Sequence, residues 1–211
     1  MPEIRGFDLV FPREYLRAAL LVSLLSVWVL VGLFYYLNRY TKRTYFTIWT
    51  AAWLFYALWL TIGISVPNAS PGTFIDILRQ WCVSISAVFL LWGSLSFLEI
   101  HARQMLFGLF MLFLLTWSFV RAGDGADALL TQLPIFSLIG LASFFAALSF
   151  YRQRQKRKFV GVGMLCLGFT LWGVYLVCYP FSQAYDTLVV TGFLFSAVLQ
   201  LFIAVSMIVL V

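Results

Sequence analysis

Seven long stretches of apolar residues, almost free of charge, follow one another along the chain and constrain its fold more than any other feature. A helix needs about 20 residues to cross about 30 Å of hydrocarbon, and these stretches have that length. With 63% hydrophobic and 10% charged residues, the chain has too few polar side chains to cover a water-soluble surface. The sequence predicts an all-α fold, an integral membrane bundle of seven transmembrane helices that forms one domain over residues 1–211. The predicted spans are 15–37, 45–66, 76–98, 104–120, 129–151, 159–180 and 185–211.

Basic residues are distributed unevenly between the connections of these spans. The first, third and fifth connections hold nine of the 14 Lys and Arg residues. Short cytoplasmic loops are enriched in Lys and Arg, so this pattern predicts an N-terminus outside the cell and a C-terminus in the cytoplasm. The string YRQRQKRK after the fifth span is expected to contact anionic lipid or a soluble partner through Arg152, Arg154, Lys156, Arg157 and Lys158. The chain has no nucleic-acid-binding motif.

The chain lacks the residues that several classes of membrane protein need for their chemistry. A retinal Schiff base needs a lysine inside a span, but Lys42, Lys156 and Lys158 all fall in connections. Haem held by two histidines is excluded because His101 is the only histidine. No span carries a charge near its middle, which argues against a channel, a proton-coupled carrier and an intramembrane protease. We therefore expect no enzymatic activity, no cofactor and no metal site in this chain.

Aromatic and amide side chains collect in the outer half of the predicted bundle. Flat apolar surface combined with a few hydrogen-bonding groups is typical of a small-ligand pocket. The candidate ligand-binding residues are Gln80, Trp81, Trp117, Gln132, Tyr175 and Tyr179. An aromatic belt at the membrane interface would produce the same pattern, so both interpretations stay open.

Two polar residues of the last span are candidates for relaying a signal. Gln200 lies in the middle of this span, and Ser206 follows it closer to the end. Each is either a packing contact between helices or a polar contact that changes when the bundle switches.

Packing between helices is predicted at two places. Trp49, Trp53, Tyr56 and Leu60 recur at spacings of four, three and four, which places them on one face of the second helix. Glycines in the sixth span, including Gly168 and Gly173, indicate that a neighbouring helix approaches closely.

Three strings resemble a known group of proteins. KRTYFTIWTAAWLFYALWL (42–60), LWGVYLVCYPF (171–181) and GFLFSAVLQLFIAVSMIVLV (192–211) are similar to the N-terminal seven-helix sensor regions of bacterial histidine kinases and diguanylate cyclases. The matching residues are Trp49, Trp53, Trp172 and Pro180. The resemblance implies a sensory module in the bacterial inner (plasma) membrane and a homodimer formed through a cytoplasmic output domain.

The sequence therefore predicts a receptor module that detects a small amphipathic ligand, a lipid or a membrane state. Its last helix would pass the signal to a kinase or cyclase domain, and the uncapped FIAVSMIVLV leads us to expect a continuation beyond Val211. Two alternatives remain: a small seven-helix transporter, and a scaffold subunit of a membrane complex.

Overall fold

The computed structural model describes residues 13–66, 73–98, 104–123, 128–156, 161–183 and 185–210. These residues form seven α-helices: α1 (Arg13–Thr41), α2 (Thr44–Ser65), α3 (Phe74–Phe97), α4 (Gln104–Gly123), α5 (Ala128–Lys156), α6 (Val162–Ser182) and α7 (Asp186–Leu210). Each predicted span falls on one of these helices. α1 and α5 extend past their apolar stretches because Arg, Gln and Lys are good helix formers, and because Arg39 in the last turn of α1 interacts favourably with the helix dipole.

The outer surface of the bundle is apolar. Among the described residues, six helices are long and apolar enough to cross a membrane, and α4 has a shorter apolar stretch, Phe107–Val120. Large side chains such as Trp28, Phe113 and Val198 are at least half exposed on this surface. Water makes such a surface costly whereas lipid accepts it, and the chain is therefore a multi-pass helical membrane protein.

Six of the helices form a closed ring. Contacts between neighbours run in the order α1, α2, α3, α5, α6 and α7, and α7 returns to α1. α4 lies outside this ring, where it packs against α3 and α5.

α4 runs antiparallel to α3. Near the end of α3, the ring of Trp92 stacks on Phe107 from the first part of α4, with centroids 5.6 Å apart. Near the start of α3, the indole N–H of Trp81 donates to the carbonyl of Leu115 at 3.3 Å. α3 and α5 are parallel, because Phe97 and Phe150 near their ends are 5.0 Å apart and Gln80 and Gln132 near their starts line one cavity. The helices thus alternate in direction along the chain, and α1 and α7 begin at the same end of the bundle.

Aromatic side chains fill the interior of the ring. The predicted stripe on α2 is confirmed, since Trp49, Trp53, Tyr56 and Leu60 are each 1% exposed. The ring of Trp53 lies 4.8 Å from that of Trp172 on α6, on the opposite side of the interior. Because the α2 and α6 backbones make no direct contact, these rings join them across the centre of the bundle.

Close helix contacts occur at glycines, as predicted for α6. A Cβ atom at Gly168 would come within 2.8 Å of Ile203 on α7, and one at Gly173 within 3.1 Å of the Gly140 carbonyl on α5. α5 and α6 are also joined by the Ser143 hydroxyl, which donates to the carbonyl of Phe169 at 2.7 Å. Small residues therefore set the distance at which α6 packs against both neighbours.

One end of the bundle carries the exposed basic side chains Arg39, Lys42, Arg43 and Arg152, and we call it the basic end. Lys42 adopts a left-handed conformation with φ of 52°, which lets the chain reverse between α1 and α2 within two residues. The structure describes only the backbone of Arg154 and Lys156, while Arg157 and Lys158 lie outside the described residues, as do His101 and Val211. The predicted lipid contact of this segment stays a prediction.

The aromatic interior predicts a strong penalty for adding one methyl group to α3. A Cβ atom at Gly93 would overlap the Trp49 ring, so Gly93→Ala forces that ring to move within a packed interior. We expect the free energy of unfolding to fall by about 1–3 kcal/mol, measured by SDS titration in mixed micelles. Gly108→Ala on α4 is the matched control, because open space surrounds that position. Equal stability of the two variants would contradict this description of the interior.

Candidate functional site

A small polar cavity lies inside the ring at the end opposite the basic end. Its volume is about 20 Å³, it is open on one side, and it lies among the first three turns of α3 and α5 and the last two turns of α2 and α6. We call it the Arg79 cavity; its lining residues are Trp59, Asp76, Arg79, Gln80, Val83, Gln132, Ile135, Phe136 and Tyr179.

The guanidinium group of Arg79 forms one wall of this cavity. It lies 5.4 Å from the ring centroid of Trp59, a cation–π contact worth about 0.5–2 kcal/mol. The Tyr179 hydroxyl is next to the same guanidinium. Gly63 on α2 leaves the space that the group needs, since a Cβ atom there would be 3.3 Å from an Arg79 nitrogen. An arginine is thus held among aromatic rings at the end of the bundle.

Hydrogen bonds fix the two amide side chains of the cavity. The amide nitrogen of Gln80 donates to a carboxylate oxygen of Asp76 at 3.2 Å, one helical turn away. The amide oxygen of Gln132 accepts from the side-chain nitrogen of Gln183 at 2.6 Å. Within the described part of the chain, neither Nε of Arg79 nor the amide oxygen of Gln80 has a hydrogen-bond partner.

Three of the six candidate ligand-binding residues line the Arg79 cavity: Gln80, Gln132 and Tyr179. Trp81 faces α4 instead, through its bond to Leu115. Trp117 packs near Phe113 on α4, with ring centroids 6.2 Å apart, and does not line this cavity.

Trp59, Asp76 and Arg79 were not among the candidate residues. Asp76, Arg79 and Gln80 have the spacing i, i+3, i+4, which places three polar residues on one face of an otherwise apolar helix. This spacing was the signal available in the sequence.

A larger apolar groove of about 540 Å³ lies between α6 and α7. We call it the α6–α7 groove; it is lined by Tyr175, Cys178, Tyr179, Phe181, Ser182, Tyr185, Leu188, Thr191, Gly192 and Phe195. A Cβ atom at Gly192 would be 2.9 Å from the Tyr175 ring, so only glycine lets this ring lie against α7 without displacement. The groove is within the size range of small-molecule sites, and it contains the candidate Tyr175. Tyr179 lines both the groove and the Arg79 cavity.

Gln200 is the centre of a buried polar network in the middle of the bundle. The Ser26 hydroxyl on α1 donates to the amide oxygen of Gln200 at 2.5 Å. The amide nitrogen of Gln200 donates to the Ser196 hydroxyl at 3.2 Å. The indole N–H of Trp172 donates to the same hydroxyl at 3.2 Å, and the Tyr56 hydroxyl is close to it. The network therefore links α1, α2, α6 and α7.

The Ser26 hydroxyl has two hydrogen-bond acceptors within reach. Its hydroxyl also lies 2.7 Å from the carbonyl of Ser23 in its own helix, and a single hydroxyl proton serves one acceptor at a time. The α1–α7 bond can consequently break without leaving the Ser26 proton unpaired. Ser206 differs from Gln200, because its hydroxyl donates to Phe202 within α7 at 2.7 Å.

Comparison with protein-family models, curated proteins and solved structures gives no match. The functional assignment therefore rests on the geometry of this chain.

We expect a measurable but small coupling between α1 and α7 at Gln200. In a double-mutant cycle of Ser26→Ala and Gln200→Leu, the interaction free energy should be about 0.6 kcal/mol and no more than about 1.7 kcal/mol. The alternative acceptor of Ser26 favours the lower value. SDS titration in micelles measures the four stabilities of the cycle.

Thr61→Ala combined with Gln200→Leu is the control cycle, because the Thr61 hydroxyl bonds within α2 to Ala57. No coupling is expected there. If the Ser26 cycle also gave zero, the network would not link the two helices.

Proposed function

We propose that this chain is a seven-span sensory module that binds a small amphipathic ligand at the end opposite the basic end and relays binding through α7. The observation that carries the proposal is the α6–α7 groove, since α7 itself forms one of its walls. An occupant would contact α7 directly, and a ligand that prefers one of two packings of α7 against α6 shifts the bundle toward that packing.

The buried network supports a relay along α7. Ser196 and Gln200 follow the groove residues Gly192 and Phe195 by about one turn of the same helix. Displacing the first half of α7 therefore acts on the bond between Gln200 and Ser26 of α1 and on the bond between Gln200 and Ser196. Ser26 has its second acceptor available when these bonds change.

The closed interior argues for sensing over transport. Aromatic contacts continue from Phe97 and Phe150 near the basic end through Trp53 and Trp172 to Tyr179 near the cavity. A carrier needs a central polar site that opens alternately to the two sides. Among the described residues, this interior is filled by side chains.

Charge supports the orientation that belongs to this proposal. With seven spans and the basic end in the cytoplasm, the Arg79 cavity faces the outside and α7 ends on the cytoplasmic side. The proposed output is a kinase or cyclase domain working as a dimer, the membrane is the bacterial inner membrane, and the basic end contacts anionic lipid.

A chimera tests the relay. The catalytic part of a histidine kinase is fused after Leu210, with zero to seven alanines inserted at the junction. If α7 carries the signal, autophosphorylation should vary with the 3.6-residue period of a helix. Gly192→Leu, which displaces Tyr175 and fills the groove, should change the kinase rate by about 5-fold or more.

Gly108→Leu is the control variant, because its surroundings on α4 are open and it should leave the rate unchanged. A kinase rate that is insensitive to both the junction length and Gly192→Leu would contradict the proposal. Solute uptake by the unfused chain in proteoliposomes would favour a carrier instead.

A further inference from the structure

The volume of the Arg79 cavity limits what can enter it. A space of about 20 Å³ holds one oxygen-sized group, because a single water occupies at least about 10–15 Å³ measured in the same way. A carboxylate or phosphate brings two or more oxygens, so the cavity takes it only if the surrounding side chains move. Size therefore favours a group with one oxygen atom.

The orientation of Gln80 determines which atom this oxygen meets. The Asp76 carboxylate only accepts hydrogen bonds, so the amide nitrogen of Gln80 must face it. This leaves the amide oxygen of Gln80 in need of a donor, on a side chain that is 8% exposed. An unsatisfied buried acceptor destabilises the protein, and a bound donor removes that cost.

The Arg79 side chain, in contrast, needs a hydrogen-bond acceptor. Its Nε–H is buried and lacks an acceptor among the described residues. One oxygen that accepts from Arg79 and donates to Gln80 meets both needs, and a hydroxyl group does so. A carboxylate can accept but cannot donate, so it would leave the Gln80 oxygen unpaired.

We propose that the Arg79 cavity binds the hydroxyl group of a small neutral alcohol. The inference rests on the proposed sensory function and names the chemical class of its ligand. Val83, Ile135 and Phe136 are the apolar part of the cavity lining. Because the cavity holds only the oxygen, the carbon chain of the alcohol extends out through its open side. Tyr179 also lines the α6–α7 groove, so the two spaces are neighbours. Water shares the hydrogen-bonding chemistry of the hydroxyl, and the test below separates the two.

Fluorine NMR on the full chain tests the proposal. The protein is labelled with 5-fluorotryptophan in phosphatidylcholine nanodiscs, and the Trp59 signal is assigned with Trp59→Phe. We expect 1-hexanol to shift this signal in a saturable manner. Hexanoate and hexyl methyl ether should bind at least about tenfold more weakly, because a site built for a hydroxyl rejects analogues without one.

Two variants test the hydrogen bonds separately. Gln80→Leu removes the acceptor, and Arg79→Lys keeps the positive charge but removes the Nε donor. Each should weaken hexanol binding at least about tenfold. Ser84→Ala is the matched control on the same helix, since the Ser84 hydroxyl bonds to its own backbone at 2.9 Å, and it should bind hexanol like the unmodified chain.

Several results would overturn the proposal. Hexanoate binding as tightly as hexanol would identify an anion site, and a shift that never saturates and persists in Gln80→Leu would reflect partition into lipid. Absence of any saturable shift would mean that the cavity holds water alone. The register dependence of the kinase chimera does not depend on this ligand, so the two proposals fail separately.

Discussion

The contact of Trp53 with Trp172 across the centre of the ring is the interaction on which the rest of this structure depends. Lipid is as apolar as a side chain, so burial from water does not hold helices together inside a membrane; close packing and a few hydrogen bonds do. Large flat rings supply many dispersion contacts at little conformational cost. Six helices are too many to touch one another at a common axis, and the aromatic side chains of α2 and α6 occupy the space that would otherwise be a pore.

This interior also explains where polar groups lie. At mid-depth the described polar side chains are uncharged, and Gln200 joins Ser26 to Ser196 there, whereas the charged Asp76 and Arg79 are at the end of the ring. Charges are costly in hydrocarbon, so the cavity that contains them lies near the end of the bundle. Both α6 and α7 touch the groove and the central network, and α7 is the one that also bonds to α1 there, so the proposed relay would pass through the packing of these helices.

Much of the fold could be predicted from local patterns. Length and hydropathy indicated the seven helices, and the spacing of Trp49, Trp53 and Tyr56 indicated the buried face of α2. Gln200 was predicted to be a polar contact because it is an amide in the middle of an apolar span. The structure places it at the centre of the polar network.

The arrangement of the helices could not be predicted in this way. Apolar residues cover both the lipid face and the interior of each helix, so hydropathy does not distinguish them, and the position of α4 outside the ring was not foreseen. The Arg79 cavity was found only in part for the same reason. Residue type alone made candidates of Gln80, Gln132 and Tyr179. The sequence places Arg79 only at the membrane interface, whereas the structure packs its guanidinium group against Trp59 and Gly63.

The central claim is that the helices alternate in direction, with α4 as the return outside the ring, so that the Arg79 cavity and the end of α7 lie at opposite ends. Labelling of single cysteines with a membrane-impermeant maleimide tests this most directly, using exposed positions in a variant free of native cysteines. Cysteines at Arg17 and Tyr185 should react from one side of the membrane, and those at Tyr40 and Ile208 from the other. If the cysteine at Ile208 reacted from the same side as that at Arg17, α4 would not cross the membrane and the account would be wrong.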